Sequence, residues 1–152
     1  MPNILVKVPK GVFPGDAAAK LLSEITNAAA TAEQIPPEQK FRLTSWVVID
    51  EIESRFFSVA GQDMSAHIVP CIAVVYVPEG VLDDASRALY VKLMHEAFKD
   101  SLPANETRRL ATSVILSTVV DGTWGGSGTI LHLADLAKAA GYGHLQHLVA
   151  KS

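Results

Sequence analysis

Cysteine, basic clusters and long apolar runs are all scarce in this chain of 152 residues. The one cysteine, Cys71, excludes an internal disulfide and is typical of a reducing compartment. The net charge is −3, and without any block of basic residues the sequence lacks the electrostatic footprint of a nucleic-acid-binding protein. The longest apolar stretch, residues 69–77, is far too short to span a bilayer. We therefore expect a cytoplasmic protein with no nucleic-acid partner and no membrane partner.

Apolar residues are abundant by comparison, at 49% of the chain against 19% charged. The length suits one domain, residues 1–152, with a core of ordinary size. The apolar excess predicts that part of the surface is covered by partner subunits.

The chain contains a tandem repeat. The sequence Val-Pro-Lys-Gly-Val at residues 8–12 recurs as Val-Pro-Glu-Gly-Val at residues 77–81. In both places the motif closes a short apolar strand and precedes a helix with an apolar stripe. We predict pseudo-repeats over residues 2–66 and 70–128, followed by a helical extension over residues 129–152.

Each repeat reads as strand, helix, strand. The predicted strands cover residues 4–8, 43–52, 72–77 and 112–120. The first predicted helix begins near Asp16 and is ended by residues 35–37, and the other predicted helices cover residues 84–101, 130–140 and 145–149. Parallel crossovers within each repeat give an α+β fold with a four-stranded mixed sheet and two helices on one face. Both faces of these strands are apolar, so we expect another subunit to cover the open face.

A proline follows directly after the initiator methionine. Methionine is usually trimmed before a small residue, and trimming would leave the secondary amine of Pro2 free to act as a base or a nucleophile. The alternative is that Pro2 merely begins a strand, where its missing N–H costs little.

These features resemble the tautomerase superfamily. The resemblance rests on Pro2 and its strand, on the Pro-x-Gly strand ends at Pro9 and Pro78, on the Trp-Gly loop at Trp124, and on the Ile-Pro-Pro-Glu-Gln-Lys-Phe turn at residues 35–41. It implies a homotrimer whose sheets form a barrel-like core, and an active site at the amino-terminal proline. It implies neither a metal nor an organic cofactor.

The resemblance also suggests roles for particular residues. Pro2 would be the general base, Phe57 and Trp124 would be apolar walls, and Lys40 or Arg42 would anchor the substrate. For Trp124 a packing role against a neighbouring subunit is an equal alternative. The arginines that family members use for acidic substrates are missing, since Gly11 and its counterpart Gly80 are followed by valine. The missing arginines therefore predict either a substrate less acidic than a dicarboxylate or a poor enzyme.

Two functions follow from this sequence. The first is a tautomerase-like isomerase, or a related decarboxylase or hydratase-type lyase, acting on a small carbonyl or carboxylate compound. The second is a non-catalytic trimer that keeps Met1 and binds a small ligand or a protein.

Other reactive side chains are expected to have no catalytic role. His132, His144 and His147 have no carboxylate or cysteine at ligand spacing, so no metal site is predicted. The glycine-rich residues 122–128 lack both nucleotide-binding spacings and should form a turn or hairpin. Cys71, which takes the place of Pro2 in the second repeat, is expected to be a buried, inert thiol.

Overall fold

The computed structural model describes residues 1–150, in which a four-stranded sheet carries two long helices on one face. The strands of this sheet are β1 (Asn3–Pro9), β2 (Trp46–Ile52), β3 (Ile68–Pro78) and β4 (Arg109–Val119), and a separate hairpin contains β5 (Trp124–Gly126) and β6 (Thr129–Leu131). The helices are α1 (Asp16–Glu33), α2 (Gln39–Arg42), α3 (Asp84–Ser101), α4 (Leu133–Ala140) and α5 (Gln146–Val149).

The sheet has the order β2-β1-β3-β4. Strand β1 is parallel to β2 and β3 is parallel to β4, while β1 and β3 run antiparallel at the centre. The predicted α+β architecture, with two strand–helix–strand units and two helices on one face, is confirmed.

Alternate residues of the central strands form the core beneath α1 and α3. Strand β1 contributes Ile4, Val6 and Val8, all fully or almost fully buried. Helix α1 presents Leu21, Ile25 and a run of alanines, because small residues let the helix approach the strands closely. Leu22 and Leu89, which the helical spacing places inward, are instead well exposed.

Helix α3 has the better-defined start. The Asp83 carboxylate accepts the Ser86 N–H at 2.8 Å, and the Ser86 hydroxyl accepts the Asp83 N–H at 2.8 Å. This capping box satisfies donors that a helix start leaves open. It explains why the predicted range of this helix matches the observed one.

The open face of the sheet carries a row of apolar side chains. Leu5 lies opposite Val48 on one side and opposite Val74 on the other, and Val74 in turn lies opposite Ile115. Leu5 is 44% exposed and Ile115 is 51% exposed. This row is therefore apolar and uncovered in the single chain.

The segment after the sheet differs from the prediction. Residues 130–131, expected to begin a helix, belong to the β5–β6 hairpin, and α4 begins at Leu133. Asp121 and Asp135 determine this start, because they accept the backbone N–H groups of Leu133 and His132 at 2.7 and 3.0 Å. None of the helices in residues 1–150 combines the length and apolarity needed to cross a bilayer.

Candidate active site at the start of the first strand

Pro2 lies at the start of β1 and is buried. Its carbonyl accepts the N–H of Trp46 at 3.0 Å, so the beginning of β1 is attached to the beginning of β2. The same end of the sheet also holds the last residue of α1. Any amine at this point of the chain is thus fixed in position by two strands.

The amino group of Met1 contacts a buried carboxylate. Its nitrogen is 3.2 Å from Oε2 of Glu33, a side chain with 0% exposure. The hydroxyl of Tyr90 donates to Oε1 of Glu33 at 2.9 Å, and the hydroxyl of Tyr142 donates to Oε2 at 2.9 Å. We call Glu33, Tyr90 and Tyr142 the carboxylate cluster.

Glu33 is buried because it continues the apolar stripe of α1. It lies one turn beyond Ala29, which is itself fully buried, so the helix directs its side chain into the core. A buried carboxylate is costly unless its oxygens are hydrogen-bonded. The two phenols and the amine provide those bonds and so offset the cost of burial.

The chain beyond α4 holds Tyr142 in place. Gly141 ends α4 with a φ of 67°, and the Gly143 N–H donates to the Gln34 carbonyl at 3.1 Å. The Gln146 side-chain amide donates to the Tyr142 carbonyl at 2.9 Å. Nε2 of His144 is 2.8 Å from the Val81 carbonyl. The tail therefore covers the end of α1 and closes over the carboxylate cluster.

Burial changes the acidity of both members of the ion pair. It lowers the pKa of the Met1 amine from 8.0 to about 6, against the opposing effect of the Glu33 charge. Burial also raises the pKa of Glu33, an effect opposed by the amine and by the hydrogen bond from Tyr90. The pair thus favours neutral forms more than exposed groups would.

Lys40 and Arg42, the expected anchors, belong to α2. Lys40 is exposed, with its ammonium 4.7 Å from the ring centroid of Phe41. Arg42 donates to the Pro36 carbonyl at 3.1 Å and to the Asn27 side chain at 3.3 Å. Both cations are therefore engaged locally in the single chain, although α2 packs near the tail through Phe41 and Gly141.

Trp124 lies on the open side of the sheet, beside the first strand. It is 8% exposed and lines a cleft of about 260 Å³ together with Asn3 and Tyr76. Because Asn3 follows Pro2 directly, this cleft is adjacent to the candidate base. The expectation that Trp124 walls a substrate pocket stays a prediction.

Phe57 lies at the opposite end of the sheet. It lines a small cavity with Pro9, at the far end of β1, and with Pro70. Seven residues of β1 separate this cavity from Pro2, a span of about 20 Å. The single chain therefore does not bring Phe57 to Pro2.

Cys71 is buried in the core, and burial raises its pKa to about 12. Within residues 1–150 no three His, Cys, Asp or Glu side chains converge as a metal ion would require. His132 instead pairs with Asp121, 3.1 Å away.

The carboxylate cluster was not anticipated from the sequence as a unit. The one available signal was Glu33 itself, a charged residue on an apolar helical stripe. Its partner Tyr142 lies in the tail, where no local pattern points back to α1.

No protein-family model matches this sequence, and no curated protein matches it. The likeness is structural. A fused 4-OT symmetric trimer shares the fold at a TM-score of 0.67 and 19% identity, over 91% of this chain and 98% of that one. A member of the cis-3-chloroacrylic acid dehalogenase (cis-CaaD) family matches at a TM-score of 0.67 and 13% identity, over 99% of both chains.

A third similar structure is the macrophage migration inhibitory factor of Toxoplasma gondii, with a TM-score of 0.58 and 14% identity over 85% of this chain. These three structures share one fold with the present chain. The chain thus has the tautomerase-superfamily fold, as the resemblance in its sequence implied.

Proposed function

We propose that this chain is a tautomerase-like enzyme in which the amine of Pro2, exposed by removal of Met1, acts as the general base. The substrate is a small enolisable or unsaturated carbonyl compound. One observation carries the proposal: the amine of Met1 lies in a buried space beside Glu33 rather than in water. Removal of Met1 would leave the Pro2 amine at the edge of the same space.

The chemistry follows from burial. Desolvation disfavours an ammonium ion, so an amine in this position is available as a free base near neutral pH. It can take a proton from the carbon next to a carbonyl and return it elsewhere, which is an isomerisation. The protonated amine can equally serve as an acid in a decarboxylase or hydratase-type reaction. Neither role calls for a cofactor.

The test uses protein whose loss of Met1 has been verified by intact mass. Ketonisation of phenylenolpyruvate and of its methyl ester would be followed in the wild type and in Pro2→Ala. We expect at least one substrate to react faster with the wild type, by about 10²-fold or more, the usual contribution of a positioned base. Equal rates in the two proteins would rule out Pro2 as the base.

The open face of the sheet supports a trimer as the working assembly. The apolar row Val48, Leu5, Val74 and Ile115 is uncovered in one chain, and two further chains could bury it. Similar structures include a fused 4-OT symmetric trimer. Leu5→Asp should shift the mass measured by light scattering towards the monomer, whereas Phe56→Asp, in a loop at the far end, should not.

A second function is favoured by the contact between Met1 and Glu33. If Met1 is retained, its amine is already paired at 3.2 Å and Pro2 has no free amine. The chain would then be a non-catalytic trimer that binds a small ligand or a protein partner. An intact mass that includes the first methionine in natively produced protein would favour this function over the enzyme.

A further inference from the structure

Met1 occupies its site in the way that a ligand would. Its amino group contacts Glu33, and its side chain is 18% exposed and packs against the core. Its carbonyl carbon is bonded to the Pro2 nitrogen. Met1 is thus an amine, an apolar arm and a carbonyl held together in one site.

The distances within Met1 link this site to the candidate base. Backbone geometry places the nitrogens of consecutive residues no more than about 3.7 Å apart. Met1 nitrogen is 3.2 Å from the Glu33 carboxylate. The space between the Pro2 amine and the carboxylate therefore has the length of one amine-bearing carbon and its neighbouring carbonyl.

We propose that the space vacated by Met1 binds a small α-amino carbonyl compound, with its amino group on Glu33 and its carbonyl beside the Pro2 nitrogen. This inference rests on the proposed function in one respect, because it requires Pro2 to be the first residue. It identifies a substrate class that the proposed function leaves open.

The hydrogen-bonding groups of the site favour an amine. Once Met1 is removed, the buried carboxyl group of Glu33 loses the one amine it contacts, and a buried polar group that loses a partner is costly. A ligand amine restores that contact, while the hydroxyls of Tyr90 and Tyr142 continue to donate to the carboxyl oxygens.

A carboxylate ligand finds no such partner in Lys40 or Arg42, the two cations expected to anchor one. Arg42 is bonded to Pro36 and Asn27, and Lys40 lies over Phe41 on the surface. An acid bound beside Pro2 would bring a negative charge into the same buried space. The site should therefore prefer an amine to an acid of similar size.

Bound in this way, the ligand presents a reactive carbon to Pro2. The carbon that bears the ammonium lies next to the carbonyl, so its proton is acidified by both groups. Pro2 would take that proton, and the C–H electrons would form the C=C bond of an enol whose oxygen takes a proton from the ligand nitrogen. Return of the first proton to the former carbonyl carbon, with the nitrogen lone pair forming a C=N bond, gives the isomeric α-hydroxy imine. The atoms and charges balance without a co-reactant.

The experiment is a binding titration with L-methioninamide, which has the amine, the arm and the carbonyl but no carboxylate. Calorimetry slightly below neutral pH would compare it with N-acetyl-L-methioninamide, in which the amine is blocked. We expect the first compound to bind Met1-free protein at least tenfold more tightly than the second. Protein that keeps Met1 should bind neither, because its own residue fills the site.

Three variants, one of them a control, locate the contact. Glu33→Gln should weaken L-methioninamide binding at least tenfold, whereas Glu24→Gln, half-buried on the same helix, should leave it unchanged. Tyr142→Phe keeps the Glu33 carboxyl group and should weaken L-methioninamide binding about threefold. This variant provides a second measurement of the contact if Glu33→Gln folds poorly. Equal binding of the two compounds, or no binding of either, overturns the inference.

The failure of this inference differs from the failure of the proposed function. Ketonisation that depends on Pro2, in protein that does not bind L-methioninamide, would leave the enzyme in place and remove the amino-carbonyl site. Amine-selective binding without any Pro2-dependent turnover would leave the site in place and remove the enzyme.

Discussion

The hydroxyl of Tyr142 lies 2.9 Å from the carboxylate of Glu33, although 109 residues separate them in the chain. This bond joins the tail of the protein to the end of α1. It also places Glu33, the only buried carboxylate in residues 1–150, beside Met1, two residues before β1. The stability of the tail and the chemistry of the candidate site are thus linked through one side chain.

Removal of the Tyr142 hydroxyl should destabilise the fold. Tyr142→Phe leaves Glu33 with one donor fewer in a buried position, and the expected loss is about 1–3 kcal/mol in the free energy of unfolding. Urea denaturation followed by circular dichroism measures it. Tyr76→Phe, on the open face of the sheet, is the matched control and should change stability by less than about 0.5 kcal/mol. Equal effects in both variants would mean that Glu33 does not depend on this bond.

Gly141→Ala should loosen the tail. A Cβ at this position would come within 2.8 Å of the Phe41 ring, and the backbone φ of 67° is already unfavourable for alanine. Gly128→Ala is the control, since its φ is 83° but nothing lies within 4 Å of the added Cβ. We expect the first variant to lose about 1–3 kcal/mol more than the second in chemical denaturation. Similar losses of stability in the two variants would mean that backbone strain alone, without the contact with Phe41, accounts for the effect of Gly141→Ala.

Acid stability should depend on Glu106. Two hydrogen bonds from the Arg108 side chain, at 2.7 and 2.9 Å, hold the pKa of Glu106 down at about 2, compared with 4.5 in the unfolded chain. A depressed carboxyl pKa contributes stability that is present above pH 4.5 and is lost as the pH falls towards 2.

Glu106→Gln should therefore be less stable than the wild type near neutral pH, by about 1–2 kcal/mol, and the difference should shrink below pH 4.5. Thermal melts across that pH range measure it. Glu53→Gln, which disrupts the exposed pair with Arg55, should show a much smaller difference. A constant gap at all pH values would contradict the assignment.

Cys71 should not react in the folded protein. Its thiol is buried and its pKa is raised to about 12, so very little thiolate exists at neutral pH. Ellman's reagent should label the native protein slowly and the urea-unfolded protein at once, with one equivalent per chain. Rapid labelling of the native protein would show that β3 opens readily.

The fold was largely predictable because its signals are local and repeated. The two Val-Pro-x-Gly-Val motifs mark the same point in each unit, and both long helices carry apolar stripes. The prediction failed at the beginning of β3, which extends back to Ile68 through Pro70. Proline is tolerated there because β1 pairs with β3 only as far as Ile72, so Pro70 has one neighbouring strand.

The candidate site was only partly predictable. Pro2 was visible as a residue type in an unusual place. The role of Glu33 could not be predicted, because its partners come from α3 and from the tail. Contacts between residues so far apart in the chain produce no periodic pattern in the sequence. Phe57 looked equivalent to Trp124 as a loop aromatic, but the sheet places them at opposite ends.

The antiparallel pairing of β1 and β3 places the starts of the two repeats at opposite ends of the sheet, and these two ends differ chemically. Cys71 occupies in the second unit the place of Pro2 in the first, yet its strand continues backwards into the preceding loop. The nitrogen of Cys71 is therefore a peptide nitrogen, whereas the nitrogen of Pro2 becomes an amine once Met1 is removed. A reagent that modifies the amine at the start of β1 will saturate at one equivalent per chain, half the number of structural units.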